Sequence, residues 1–272
     1  MNCYFDTSVY NRILDDPDKD LLLKNIKKKH ITAIPSLVNL CELLQTTGEA
    51  RKQSLLSIYN EIRDDYHPLK PFTALLRDAV LAVQEGNIDV KANMPVAIDD
   101  TTEQLCIDVL KDSGKEFDQY ALKARARLFG EQGIKAPPDA KTFFEACHDE
   151  KMNSTWINLF TGVCKSLGIE ELKLDEGTIL KVVKDPNSPW KYYLDTTLLI
   201  FHRRAMRTAG HGRKSNPGGA DLEQGIYLCW AEIYVIKDGV FYEFVKELKK
   251  LLGYSKEIYD YDEFRGFLGL NK

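Results

Sequence analysis

The hydrophobic positions of this chain change their spacing along its length. Cys3–Phe5 is a short apolar run that stops at Asp6 and reads as a strand. Thr7 and Ser8 open a short helix over Val9–Leu14, and after the polar turn Asp15–Asp18 a second helix covers about Lys19–Lys29. His30–Ile34 reads as a second strand, closed by Pro35-Ser36, with Ser36 as the N-cap of the next helix. In Leu37–Gln45 the residues Leu37, Leu40, Cys41 and Leu44 recur at i, i+3, i+4 and i+7, the spacing of one helix face. From about residue 50 to 210 the pattern is helical with little period-2 alternation. It is interrupted near Pro68 and Pro71, Pro95, Pro137-Pro138, Pro186 and Pro189. Asn216-Pro217-Gly218-Gly219 is a loop, followed by a helix from Asp221 to about Ala231. Ile233–Ile236 is a strand ended by Lys237-Asp238-Gly239, and Val240–Leu252 has helical spacing. Glu257–Tyr259 is a last short strand and Asp262–Leu268 a terminal helical turn or two.

Short strands alternating with helices at both ends imply βαβ units. The expected class is therefore α/β, a parallel sheet with helices on both faces. The helical middle, residues 61–189, is expected to be an insertion or subdomain that splits a core made of 1–60 and 190–272. A length of 272 residues suits one large domain or two small ones. In open parallel sheets, ligands gather outside the carboxyl ends of the strands, so the residues there carry the functional question.

Four acids answer to it. Asp6 directly follows the first strand, and Asp238 follows Ile233–Ile236. Glu42 lies between Cys41 and Leu43, at the border of its helix's apolar face, and Asp221 falls in the first turn of the helix before Ile233. Each has a local explanation. Asp6 suits an N-cap, Asp221 with Gln224 a capping box, Asp238-Gly239 a tight turn, and Glu42 an exposed helix edge. Their joint placement at one sheet end says more. Four carboxylates drawn together are costly unless a divalent cation neutralises them. Hard oxygen donors suit Mg²⁺ or Mn²⁺, ions that polarise phosphoryl oxygens and activate water.

The string Tyr4-Phe5-Asp6-Thr7-Ser8-Val9-Tyr10 resembles the opening of a PIN-domain nuclease. Ile34-Pro35-Ser36 followed by Leu40-Cys41-Glu42-Leu43 is similar to that family's second motif, Ala220–Leu228 to its third and Val235-Ile236-Lys237-Asp238 to its fourth. Asp238 follows Asp221 by 17 residues, which suits the family, and Tyr259–Phe264 resembles its closing strand-to-helix turn. The resemblance implies a PIN-like three-layer αβα fold. It also implies metal-dependent cleavage of phosphodiester bonds, usually in RNA, with Asp6, Glu42, Asp221 and Asp238 as metal ligands and catalytic acids. The expected function is a Mg²⁺- or Mn²⁺-dependent endoribonuclease in which metal-activated water attacks phosphorus. One departure is Ile236, where the family often carries Thr or Ser. A catalytically weak PIN-like module that binds RNA or protein is the main alternative. A haloacid-dehalogenase-type phosphatase also places an acid after a strand, but wants a second acid where Ser8 stands.

Charge adds a candidate flank. His202-Arg203-Arg204, Arg207 and His211-Gly212-Arg213-Lys214 form the densest basic run. Ser8, Arg203, Arg204, Arg207, Arg213 and Lys214 are the expected substrate contacts, with RNA phosphates as their target. Overall, 37 Lys and Arg against 41 Asp and Glu give a net charge of −4, which argues against a general nucleic-acid coat but not against a local basic patch. Trp190, Tyr192 and Tyr193 are read as core and Asp195 as a helix-surface residue. The scattered cysteines are read without a metal motif, with Cys3, Cys41 and Cys229 as buried thiols. No apolar run approaches the ~18 residues of a membrane span, and the N-terminus lacks a signal-peptide pattern, so a cytoplasmic protein is expected. A protein partner such as an antitoxin, or a homodimer, is compatible with this reading.

Overall fold

Cys3, Tyr4 and Phe5 are all fully buried, so the first strand has no solvent face. That is the signature of a parallel strand covered on both sides. In the computed structural model, which describes residues 1–63, 69–86, 138–208, 217 and 219–270, this strand lies inside one all-parallel sheet. The strands are β1 (Asn2–Phe5), β2 (Thr32–Ala33), β3 (Ile233–Ile236) and β4 (Glu257–Asp260), in the order β2-β1-β3-β4. Cys3 stands opposite Ile233, Phe5 opposite Val235, and Ile236 opposite Asp260.

Between β1 and β2 lie α1 (Thr7–Leu14) and α2 (Lys19–Lys28). Between β2 and β3 the described helices are α3 (Leu37–Leu44), α4 (Glu49–Ile62), α5 (Phe72–Gln84), α6 (Ala140–His148), α7 (Asn153–Ser166), α8 (Glu176–Lys184), α9 (Pro189–Thr208) and α10 (Gly219–Gln224). A 3₁₀ turn, Gly225–Cys229, follows α10. Helix α11 (Gly239–Leu252) joins β3 to β4, and α12 (Tyr261–Phe267) closes the fold.

The alternation of β1 and β3 sorts these helices into two layers. Cys3, Phe5, Ile233 and Val235 pack with α1–α4 and α12. Tyr4, Tyr234 and Ile236 pack with α5–α9, α11 and the 3₁₀ turn. Helices α5–α8, expected as an insertion, therefore share one hydrophobic cluster with the sheet.

Several expectations need correction. Strand β2 is shorter than His30–Ile34 because α2 ends in a Schellman arrangement. The His30 N–H donates to Lys27 O and the Ile31 N–H to Ile26 O, with His30 in the left-handed region at φ 53°. The helix expected from Asp221 to Ala231 begins at Gly219 and tightens into 3₁₀ geometry at Gly225. The reason is tertiary. All of Gly225–Cys229 is buried, the Tyr227 hydroxyl donates to Lys70 O at 3.0 Å, and a Cβ on Gly225 would meet Thr196 Oγ1 at 3.3 Å. Cys41 is disulfide-bonded, where a buried thiol was expected, while Cys3, Cys147, Cys164 and Cys229 are free and buried.

Asp195 is not on a helix surface. It is 1% exposed, bound by Lys191 Nζ at 2.7 Å and the Tyr254 hydroxyl at 2.6 Å. His148 Nε2 lies 3.2 Å from its other oxygen, a charge contact rather than an aligned hydrogen bond. Among the described residues, no helix is long and apolar enough to cross a membrane.

Candidate functional site

Strand order locates the site. The chain moves from β1 outward to β2 on one side and from β3 outward to β4 on the other, so the sheet reverses between β1 and β3. Parallel sheets bind ligands at such a switch point, outside the carboxyl ends of the strands. Asp6 and Asp238 follow those two ends, and α1 and α11 start there. Their N-terminal backbone N–H groups favour anions such as phosphate.

Asp6 continues the ladder one residue past β1, its N–H donating to Val235 O at 3.0 Å. It takes the N-cap position of α1, yet its carboxylate makes no capping bond. Instead Oδ2 accepts the hydroxyl of Ser8. Only 5% of Asp6 is exposed, and burial raises its pKa above the ordinary carboxylate value. The Ser8 hydroxyl and the Thr7 and Lys237 backbone N–H groups oppose that rise, while the charge of Asp238 adds to it. Asp238 itself is exposed. It caps α11, with Oδ1 accepting the Phe241 N–H at 2.7 Å, so its turn is a strand-to-helix turn and not a hairpin.

Glu42 is half-buried on α3, and its pKa is pushed up to about 7. Burial is the main cause. A hydrogen bond from Thr7 lowers it, and the charges of Asp6 and Asp221 raise it further. Both charges acting on Glu42 are negative. Asp221 is half-buried in the first turn of α10, past the N-cap position, so it is not the cap of a capping box. The four predicted acids thus form an electrostatic chain: Asp238 acts on Asp6, and Asp6 and Asp221 act on Glu42. Among the described residues, no three His, Cys, Asp or Glu side chains are grouped as a ready-made metal cage.

Sequence reasoning missed the polar groups behind the acids. Ser36 and Asn39 are fully buried, and Gln224 is 1% exposed. The Asn39 Nδ2 donates to Thr7 Oγ1 at 2.8 Å, and the Ser36 hydroxyl donates to Asn39 Oδ1 at 2.7 Å. The Tyr4 hydroxyl lies 3.2 Å from Ser36 Oγ and donates to Gln224 Oε1 at 3.0 Å. One signal was available. Asn39 is a lone amide in a run of apolar residues, and a buried amide needs partners.

The basic flank is partly withdrawn. Arg203 is 4% exposed, paired with Glu247 at 2.7 Å and stacked 4.8 Å above the Phe244 ring, so its guanidinium faces the core. Arg204 is half-buried and Arg207 exposed, while Arg213 and Lys214 lie outside the described residues. Trp190, Tyr192 and Tyr193 are core residues, as expected. A groove of about 1230 Å³ between α6, α9 and α11 is lined by Lys141, Arg203, Lys246 and Lys249, but contains none of the four acids. Comparison with known proteins leaves this geometry to stand by itself: no family model, no curated protein and no solved structure matches the chain.

Proposed function

We propose that the chain is a divalent-metal-dependent nuclease of PIN type, an endoribonuclease, with Asp6, Glu42, Asp221 and Asp238 as its cation-holding acids. The observation that carries this reading is Glu42. Its carboxylate sits near a sheet switch point with its pKa pushed up to about 7, and the charges acting on it are carboxylates. Such a group either takes up a proton or shares a cation. The donor set is all hard oxygen, which fits Mg²⁺ or Mn²⁺ in kind and in charge. When bound, the metal supplies an activated water and charge stabilisation at the phosphoryl oxygens.

The chain's own residues prepare the site. Ser8 orients Asp6 through Oδ2. Thr7 favours the ionised form of Glu42. The first turns of α1 and α11 present backbone N–H groups to a phosphate, and Arg204 and Arg207, with Arg213 and Lys214, would extend phosphate contact along an RNA strand. The three-layer PIN-like architecture, with 61–189 inserted into it, belongs to the same proposal.

A second reading has its own support. The acids are coupled by charge without forming a ready cage, Asp238 serves as a helix cap, and Ile236 is buried in the core. These features suit a PIN-like module that binds RNA without cutting it. Incubating the purified chain with labelled RNA and Mn²⁺ separates the two. Cleavage that EDTA stops, and that Asp6→Asn or Asp221→Asn lowers at least about 100-fold, supports the nuclease. Variants that cleave at the wild-type rate exclude this acid assignment, and RNA binding without cleavage favours the module.

A further inference from the structure

The buried polar groups beside the acids connect into one chain. Thr7 hydrogen-bonds to Glu42, and Thr7 Oγ1 accepts the Asn39 amide N–H at 2.8 Å. A carboxylate only accepts, so the single Thr7 proton is directed to Glu42. Asn39 in turn has its Oδ1 occupied by the Ser36 hydroxyl at 2.7 Å, which orients its Nδ2 toward Thr7. Ser36 Oγ also accepts the Asn39 backbone N–H at 3.1 Å and touches the Tyr4 hydroxyl at 3.2 Å. Tyr4 donates to Gln224 Oε1 at 3.0 Å, and the Tyr234 hydroxyl pins the Gln224 carbonyl at 2.7 Å. Gln224 lies on α10, three residues after Asp221.

We infer that this chain, running from Thr7 through Asn39, Ser36 and Tyr4 to Gln224, is a positioning relay that sets Glu42 on α3 against Asp221 on α10 for a shared divalent cation. The inference rests on the metal-site reading above. Asn39 and Thr7 are positioning residues, acting on the cation only through Glu42. An apolar side chain at position 39 would fill the core as well, but would leave Thr7 free to rotate away from Glu42. Tyr4 is the point where the relay crosses β1 and reaches the helix that carries the second acid.

Mn²⁺ titration of the full chain by calorimetry tests this without any cleavage assay. Wild type is expected to bind Mn²⁺, and Glu42→Gln to lose most of that binding. Thr7→Val keeps the side-chain shape but cannot donate, and is expected to weaken binding ~10–100-fold, the range for groups that orient metal ligands. Thr7→Ser restores the hydroxyl and is expected to return affinity to within about threefold. Tyr4→Phe, which cuts the relay on the Asp221 side, is expected to weaken binding in the same direction. Thermal unfolding of the metal-free variants separates lost folding from lost positioning, since Thr7→Val and Thr7→Ser should melt alike. If Thr7→Val and Tyr4→Phe bind Mn²⁺ as wild type does while Glu42→Gln does not, the relay is overturned and the metal site stands. Equal losses in Thr7→Val and Thr7→Ser also overturn it, because the hydroxyl is then not the cause. If wild type itself binds no Mn²⁺, the metal reading fails and the relay's purpose fails with it.

Discussion

On the face carrying Cys3, Phe5, Ile233 and Val235, the covering helices α1–α4 follow one another along the chain, and α12 joins them from the C-terminal end. The space between them is filled with apolar side chains, and the buried hydroxyls of Tyr10 and Tyr59 find no hydrogen-bond partner among the described residues. The opposite face is assembled from helices far apart in sequence and is threaded with hydrogen bonds. Trp190 Nε1 donates to Leu76 O at 3.0 Å, Trp156 Nε1 to Cys147 O at 2.7 Å, and the Tyr227 hydroxyl to Lys70 O across 157 residues. Local helices need only the right apolar stripe to find their places. Distant helices gain specificity when a buried polar atom has one correct partner, because any other arrangement leaves it unpaired. The candidate site sits where the two layers meet: Glu42 comes from one, Asp221 leads into the other, and Asp6 and Asp238 end the strands between them.

Each face holds one buried acid, and removing these acids should show the largest contrast. Asp195→Ala strips Lys191, Tyr254 and His148 of a shared partner and is expected to cost about 3–5 kcal/mol in chemical denaturation. On the other face, Asp16→Ala removes the partner of Arg265 and Tyr261, but Arg265 keeps Asp18 at 2.9 Å, so roughly half that cost is expected. Equal costs would break the comparison. Burial raises the Asp195 pKa, but the His148 contact and Lys191 outweigh it, and the net shift is downward. Its stabilisation is therefore present above the ordinary carboxylate value and lost as pH falls through the lower folded one. Asp195→Ala should flatten the acid limb of the stability curve.

The seam between the faces gives the next effect, of opposite sign. Glu42 has its pKa raised from 4.5 to about 7, so the metal-free fold binds an extra proton between those values and loses stability as pH rises through them. With chelator present, Glu42→Gln should be more stable than wild type by roughly 2 kcal/mol at pH 8 and by little at pH 4. A wild type whose metal-free stability is flat from pH 4 to 8 would remove the strain assigned to the acids.

The sharpest pair is the smallest. Tyr234→Phe deletes a buried hydroxyl that donates to Gln224 O at 2.7 Å and should cost about 1–1.5 kcal/mol. Tyr10→Phe deletes a buried hydroxyl with no hydrogen bond among the described residues, and should be neutral or slightly stabilising. The same deletion of one oxygen then changes sign from one face to the other. Matching losses would mean that the apolar face holds its tyrosines by a bond of its own.

Where neighbours in sequence are neighbours in space, the elements were legible. Ile233–Ile236, the Ser36 cap and the helix after Asp238 stand where the pattern places them, because each is decided within a few residues. The acids at the strand ends were legible for the same reason, since a strand end and the next helix start are local events. Helix α9 was legible as a helix but not as a set of roles. Residues 192–203 are all buried, so no polar stripe marks which charges face inward. Arg203 looked like a phosphate contact because Glu247, its partner, lies 44 residues away. Asp195 looked exposed because Tyr254 is 59 residues away.

Taken by itself, the chain's pattern determined an α/β class, the parallel strands and the carboxylates that follow them. Those follow from short-range sterics, capping and the spacing of apolar residues. Tertiary structure alone decided the strand order, and with it the switch point that puts Asp6 beside Asp238. It also decided the 3₁₀ tightening at Gly225, the inward turn of Arg203 and Asp195, and the polar chain linking Glu42 to the helix of Asp221. Each of these depends on which distant atom is left to satisfy a buried hydrogen bond or charge, and that is settled only when the two layers close on the sheet.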